Sequence, residues 1–253
     1  MTIDVFANLF LSNGDNPTVS AMVQTDDGEI KFSPVSVKFS LKMEIINGLI
    51  IVHFTPVSDE HNFWDSWDNI FELAKIIIDP IILTRALHLG QGLLYTITLG
   101  RAEDGSTFKP NPDTASEPNF DLTTSQQADP IVRLLVNNFR FKFAVRDFNM
   151  GLLDRKDCAL YFYREIETLA RIIGGENKEG QAEWDKFFDK IVASEDEKGQ
   201  LKNKDKDSTI RYSADKLRHG KAPGQRHPQE WEDMKKTAKS ILVKSAKYLI
   251  DNP

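Results

Sequence analysis

Three side chains near the C-terminal end of the chain are of the types that handle a phosphodiester: Arg211, Arg218 and His219. The two arginines are seven residues apart, a spacing that nearly superposes them on one face of a helix. His219 is followed by Gly220, a residue that commonly ends helices. An imidazole in the last helical turn feels the negative end of the macrodipole, which favours its protonated form. Two guanidiniums and an imidazole can cleave RNA without a metal. A base takes the 2′-OH proton, the guanidiniums stabilise the phosphorane, and an acid protonates the leaving oxygen. The same groups can also simply hold a phosphate. They lie in a basic stretch, residues 198–226, with nine Lys or Arg against three Asp, a local charge of +6 in a chain whose overall charge is −6. Within it Lys202, Lys204, Lys206, Lys216, Lys221 and Arg226 are the candidate phosphate-binding or RNA-binding cations. A solvated charge run is the plain alternative.

Other chemistries find little support. Dinucleotide-binding, P-loop, zincin and nucleophile-elbow motifs are all missing. The five histidines, at 53, 61, 88, 219 and 227, show no metal-ligand spacing, so neither metal nor cofactor is expected. Cys158 reads as a small buried hydrophobe, and a single cysteine excludes an internal disulfide. Phe63, Trp64, Trp67 and Phe71 read as core under a sheet, with an aromatic ligand platform as the rival reading.

The elements that would position these groups fall into two textures. From the N-terminus, Ile3, Val5, Ala7, Leu9 and Leu11 alternate as on a half-buried strand. Residues 18–24 and 29–37 are two further strands, with a tight turn expected at Asp26-Asp27-Gly28. Residues 39–57 predict an antiparallel hairpin about Asn47-Gly48, because both residues accept the positive φ of a type I′ turn. Trp67, Ile70, Phe71, Ala74, Ile77 and Ile78 then recur at helical steps, and Pro80 is expected to end or kink that helix. A second helical piece up to Leu89, a strand over 93–99 and a turn at Asp104-Gly105 follow. Residues 1–108 therefore predict a β-rich α+β domain with a packed helix, and 109–129, polar and proline-rich, a linker.

Residues 130–253 predict an all-α bundle. Its helices are expected over 130–148, from Asp154 to Gly174, over 180–193, over 208–219 and over 228–250, with a lysine-rich loop over 194–207. In the second of these Tyr161, Ile166, Leu169 and Ile173 form the apolar stripe, and Arg164 or Glu167 beside it is expected to be partly buried with a partner.

Two features of this half carry a family resemblance: the stretch Tyr161-Phe-Tyr-Arg-Glu-Ile-Glu167, and Arg-His-Gly at 218–220 ahead of a long last helix. Residues 129–252 resemble the HEPN-like helical domains of prokaryotic toxins and antiviral proteins. The resemblance implies a helical bundle, a homodimer and, where the motif is complete, an RNase site built from arginine and histidine. In this chain the motif is degenerate. The family leaves four to six intervening residues between its arginine and the histidine, and Tyr212, Ser213 and Ala214 stand at those positions, with Arg211 one residue beyond.

At 28.8 kDa, with 40% hydrophobic and 28% charged residues, the composition is that of an ordinary globular protein. The longest apolar zone is cut by Asp79, Pro80 and Arg85, so no membrane partner is expected. The first residues hold no basic n-region, and the expected location is the cytoplasm. The leading functional reading is a non-catalytic HEPN-like protein that dimerises and pairs with another protein in prokaryotic stress or defence, as in toxin–antitoxin or antiviral systems. The alternatives are a metal-independent endoribonuclease or RNA-binding toxin-like module, and a small-ligand-binding protein that uses the N-terminal β domain.

Overall fold

The computed structural model describes residues 2–11, 21–32, 35–57, 62–110, 121–123, 130–177, 181–202, 209–218 and 228–253. The protein is α+β, with an antiparallel sheet formed by the N-terminal part followed by helices. Contacts divide it into two units: residues 1–82 with 93–137, and residues 83–92 with 138–253.

The sheet unit contains β1 (Ile3–Leu11), β2 (Ala21–Phe32), β3 (Val35–Ile46), β4 (Leu49–Pro56), β5 (Leu93–Ala102), β6 (Thr107–Phe108) and β7 (Asp121–Thr123), in the order β6-β5-β1-β4-β3-β2-β7. The alternation on β1 buries Ile3, Val5, Ala7 and Leu9 on one face. Phe39, Phe54 and Trp64 meet on that side with ring centroids 5.8 to 6.1 Å apart. A single 3₁₀ turn, Phe63–Asp65, and helix α1 (Trp67–Leu89) follow. Phe63, Trp64 and Phe71 are buried core, while Trp67 stacks on Phe108 at 4.3 Å. The hairpin at Asn47-Gly48 is present: φ is 50° and 81° at the two residues, and β3 pairs with β4 from Ile46↔Leu49 outward.

Three local expectations need correction. Asp26-Asp27-Gly28 is not a turn but lies inside β2, where the pairing with β3 shifts register between Thr25 and Gly28. One extra residue there makes a β-bulge, because a strand hydrogen-bonded on both flanks overrides a local turn signal. Of the two outcomes expected at Pro80, an end does not occur, since α1 runs through it. An interior proline costs about 3 kcal/mol, but Ile77, Ile78, Ile81 and Ile82 are buried around it, each contributing roughly 1.5–3 kcal/mol. Within the expected linker, Asp121–Thr123 is a strand on the β2 edge.

The helical segments are α2 (Pro130–Asn137), α3 (Phe139–Leu153), α4 (Cys158–Ile173), α5 (Trp184–Lys190), α6 (Glu195–Lys202), α7 (Ile210–Arg218) and α8 (Pro228–Asp251). By contacts α2 counts with the sheet unit and α3 to α8 with the other. The single helix expected over 130–148 is two helices. Asn138 separates them, in extended conformation, and its side-chain oxygen accepts a hydrogen bond from the Phe141 amide to cap α3. The loop expected over 194–207 contains α6. Ser194 and Glu197 form a capping box: Glu197 N–H donates to Ser194 Oγ at 3.3 Å and Ser194 N–H to Glu197 Oε2 at 2.6 Å.

In the helical unit α4 is central, packed against α3, α5, α7 and α8. Its buried side chains include Phe162, Tyr163, Ile166 and Leu169. Gly151 on α3 lets α4 approach closely, since a Cβ there would lie 2.4 Å from the Phe162 ring.

Candidate functional site

The candidate cations sit on α6, α7 and the stretches beside them, so the site is built on two short helices. Helix α7 starts from Thr209, whose hydroxyl accepts from the Tyr212 amide at 3.2 Å. Gln200 of α6 accepts from the Ile210 amide at 3.2 Å and ties the start of α7 to the end of α6. Ile210, Ser213 and Ala214 face inward and are buried.

This framework places Arg211 with its guanidinium carbon 4.7 Å from the centroid of the Tyr163 ring. Tyr163 is buried, so the arginine covers a core ring of α4. Lys216 lies one turn on, its ammonium 4.2 Å from the Tyr212 ring. Lys202, at the end of α6, donates to Asp185 of α5 at 2.7 Å and stands 5.4 Å from the Phe188 ring. That hydrogen bond, and then the positive charge of Lys202, hold the Asp185 carboxyl below the usual range. The three candidate cations with described side chains are thus each engaged within the chain. Arg218 is the last residue of α7. His219, Lys204, Lys206, Lys221 and Arg226 lie outside the described residues.

The most perturbed acid in the helical unit is one the sequence reading passed over. Glu165 on α4 is 0% exposed, and neither carboxylate oxygen has a hydrogen-bond partner. Burial, and then the neighbouring Asp147 on α3, push its carboxyl well above the usual glutamate range. Burial also raises Asp147, outweighing the opposing pull of Arg164 and Arg146. Arg164 does find the expected partner, Asp147, at 3.2 Å, but is itself about half exposed. Glu167 pairs with Arg171 on the same helix at 3.5 Å. Glu167 is thus the half-buried, partnered charge expected beside the stripe, while Glu165, two residues before it, is buried without a partner. The signal was there: Cys158, Phe162, Glu165 and Leu169 recur at helical steps, so Glu165 falls in an apolar row.

On the sheet unit His53 belongs to an ion-paired ladder. Asp4 on β1 accepts from its Nδ1 at 2.7 Å and pairs with Arg101 of β5, and Glu44 of β3 is 3.8 Å from Nε2. Burial works against ionisation of Asp4, but the Arg101 and His53 hydrogen bonds prevail and lower its pKa. Among the described residues no group of His, Cys, Asp and Glu could hold a metal, and no helix is long and apolar enough to cross a membrane.

Residues 129–250 match the C-terminal domain of a family described as a domain of unknown function, DUF8168. No curated protein and no solved structure matches the chain.

Proposed function

We propose that the chain is a HEPN-like interaction protein whose helical part dimerises, pairs with another protein in prokaryotic stress or defence, and does not cleave RNA. The observation that supports this reading is the position of Arg211 over the buried Tyr163 ring. An arginine that stabilises a phosphorane must present its guanidinium to the substrate. Here it closes the α4–α7 packing, and Lys202 and Lys216 are likewise occupied by chain partners. The degenerate spacing of the Arg/His motif agrees, since a residue released from catalysis can drift in position while its packing role persists. The ligand-binding alternative needs a deep apolar pocket on the sheet unit, and the buried sheet face is instead packed with Phe39, Phe54, Phe63 and Trp64.

The test is incubation of the full chain with end-labelled single-stranded RNA in EDTA, beside His219→Ala and Arg211→Ala, with sedimentation of the same samples. The expected result is no cleavage by any of them and a sedimenting mass of twice 28.8 kDa. Cleavage by the wild type that disappears in His219→Ala makes the protein an endoribonuclease. Tight binding that weakens steeply with salt, without cleavage, makes it an RNA-binding module. Either result, or a monomer, overturns the proposal.

A further inference from the structure

Glu165 is the one fully buried charge-bearing side chain among the described residues whose polar atoms find no partner. Leaving an ionised carboxylate in such a place is among the costliest arrangements in a protein interior, so the group stays neutral by keeping its proton. We propose that Glu165 is a protonation-dependent switch on the α3–α4 pair: the helices stay packed while the acid is neutral, and loss of its proton loosens them.

Among the described residues the cations on the elements packed against Glu165 are engaged elsewhere, Arg146 of α3 standing over the Phe143 ring and acting on Asp147. From α3 the facing group is Asp147, itself an acid, so a second negative charge would repel the first. Arg164, the residue before Glu165 on α4, turns outward to pair with Asp147. From α7 Arg211 is engaged over Tyr163. From α8 the cation Lys244 donates to both oxygens of Glu197, and the neighbouring Ser245 is buried with its hydroxyl unpartnered. From α5 Lys190 donates to the Ile173 carbonyl, and Asp185 is paired with Lys202. The interface has little slack to absorb a charge, because Gly151 and the Phe162 ring are already in close contact across it. Ionisation would then be relieved by admitting water, which means separating α3 from α4.

The experiment follows thermal unfolding of the full chain between pH 5 and pH 8, with hydrogen exchange of the α3 and α4 amides corrected for intrinsic rate. Wild type is compared with Glu165→Gln and Asp147→Asn. Gln keeps the shape and cannot ionise. While Glu165 holds its proton only in the folded state, each pH unit costs a factor of ten in folding equilibrium. In a protein of this size that lowers Tm by about 3 °C per unit. The expected outcome is a wild-type Tm that falls on this slope relative to Glu165→Gln, a shallower slope in Asp147→Asn, and α3–α4 exchange that accelerates with pH in the wild type alone. Should Glu165→Gln not fold, the infrared carbonyl band of a protonated carboxyl in the folded wild type at a pH above the ordinary glutamate range, lost at higher pH only in step with the exchange, carries the test. Parallel pH profiles for wild type and Glu165→Gln, or no protonated-carboxyl band above the ordinary glutamate range, overturn the proposal.

Discussion

Arg211 shows how one side chain can carry the signature of catalysis and the work of packing together. Its long apolar stem and flat guanidinium suit the face of an aromatic ring, and Tyr163 supplies that ring from a buried position on α4. If cover is the main role, stability depends more on the shape of the side chain than on its charge. Arg211→Ala is expected to lose about 1 kcal/mol, read as a Tm lower by about 3 °C. Arg211→Met, which keeps a long apolar cover without charge, is expected to lose less than half of that. A Met variant as unstable as the Ala variant would show that the guanidinium charge carries the contact. The residue type and its position on a short helix were legible from the sequence. That the ring beneath it belongs to Tyr163 was not, because the contact joins residues 48 apart in the chain and only tertiary packing selects it.

At the scale of elements, a local backbone signal decides the structure where no tertiary pairing or burial opposes it, and gives way where one does. Asn47-Gly48 specifies its hairpin because both residues sit at positive φ, whatever else the strands do. Asp26-Asp27-Gly28 carries an equally good turn signal, yet β2 continues through it because β3 and β7 pair with the strand on its two sides. Pro80 and the helix break at Asn138 follow the same logic in opposite directions: burial carries α1 through a proline, while a side-chain cap divides a run that periodicity alone reads as continuous. The Ser194–Glu197 capping box was present in the sequence but was masked by the lysine-rich composition around it. The hairpin gives the sharpest element-level prediction. Gly48→Val places a β-branched residue at φ 81°, and is expected to cost about 1–3 kcal/mol. Gly48→Asn, which tolerates that conformation, is expected to cost well under 1 kcal/mol. Urea unfolding of both variants measures the difference, and equal losses would mean that the turn geometry does not limit the hairpin.

At the scale of the whole molecule, two buried glutamates give the helical unit opposite responses to pH. Glu197 lies under α8: Ser240 donates to its Oε1 at 2.7 Å and Lys244 to both oxygens at 2.7 and 3.0 Å. Burial pushes its pKa up, but the Lys244, Ser240 and Ser194 hydrogen bonds together bring it below the ordinary value of 4.5. A carboxyl with a lowered folded pKa stabilises the protein above its unfolded pKa, and that contribution is lost as pH falls through the folded value. Glu165 has the reverse sign, because its raised pKa makes stability fall as pH climbs above 4.5. The helical unit should therefore be most stable in mildly acidic solution, bounded below by Glu197 and above by Glu165. Glu197→Gln isolates the lower boundary. It is expected to cost about 2 kcal/mol at pH 6, where the ionised network is intact, and progressively less as pH falls below 4.5 toward the lowered folded value. Guanidinium titrations of wild type and variant from pH 3 to pH 8 test this. A loss that is the same at every pH would make the network one of shape and neutral hydrogen bonds, and the acid limb of the stability profile would then have to come from carboxylates elsewhere, with Asp4 in its His53–Arg101 ladder the first to examine.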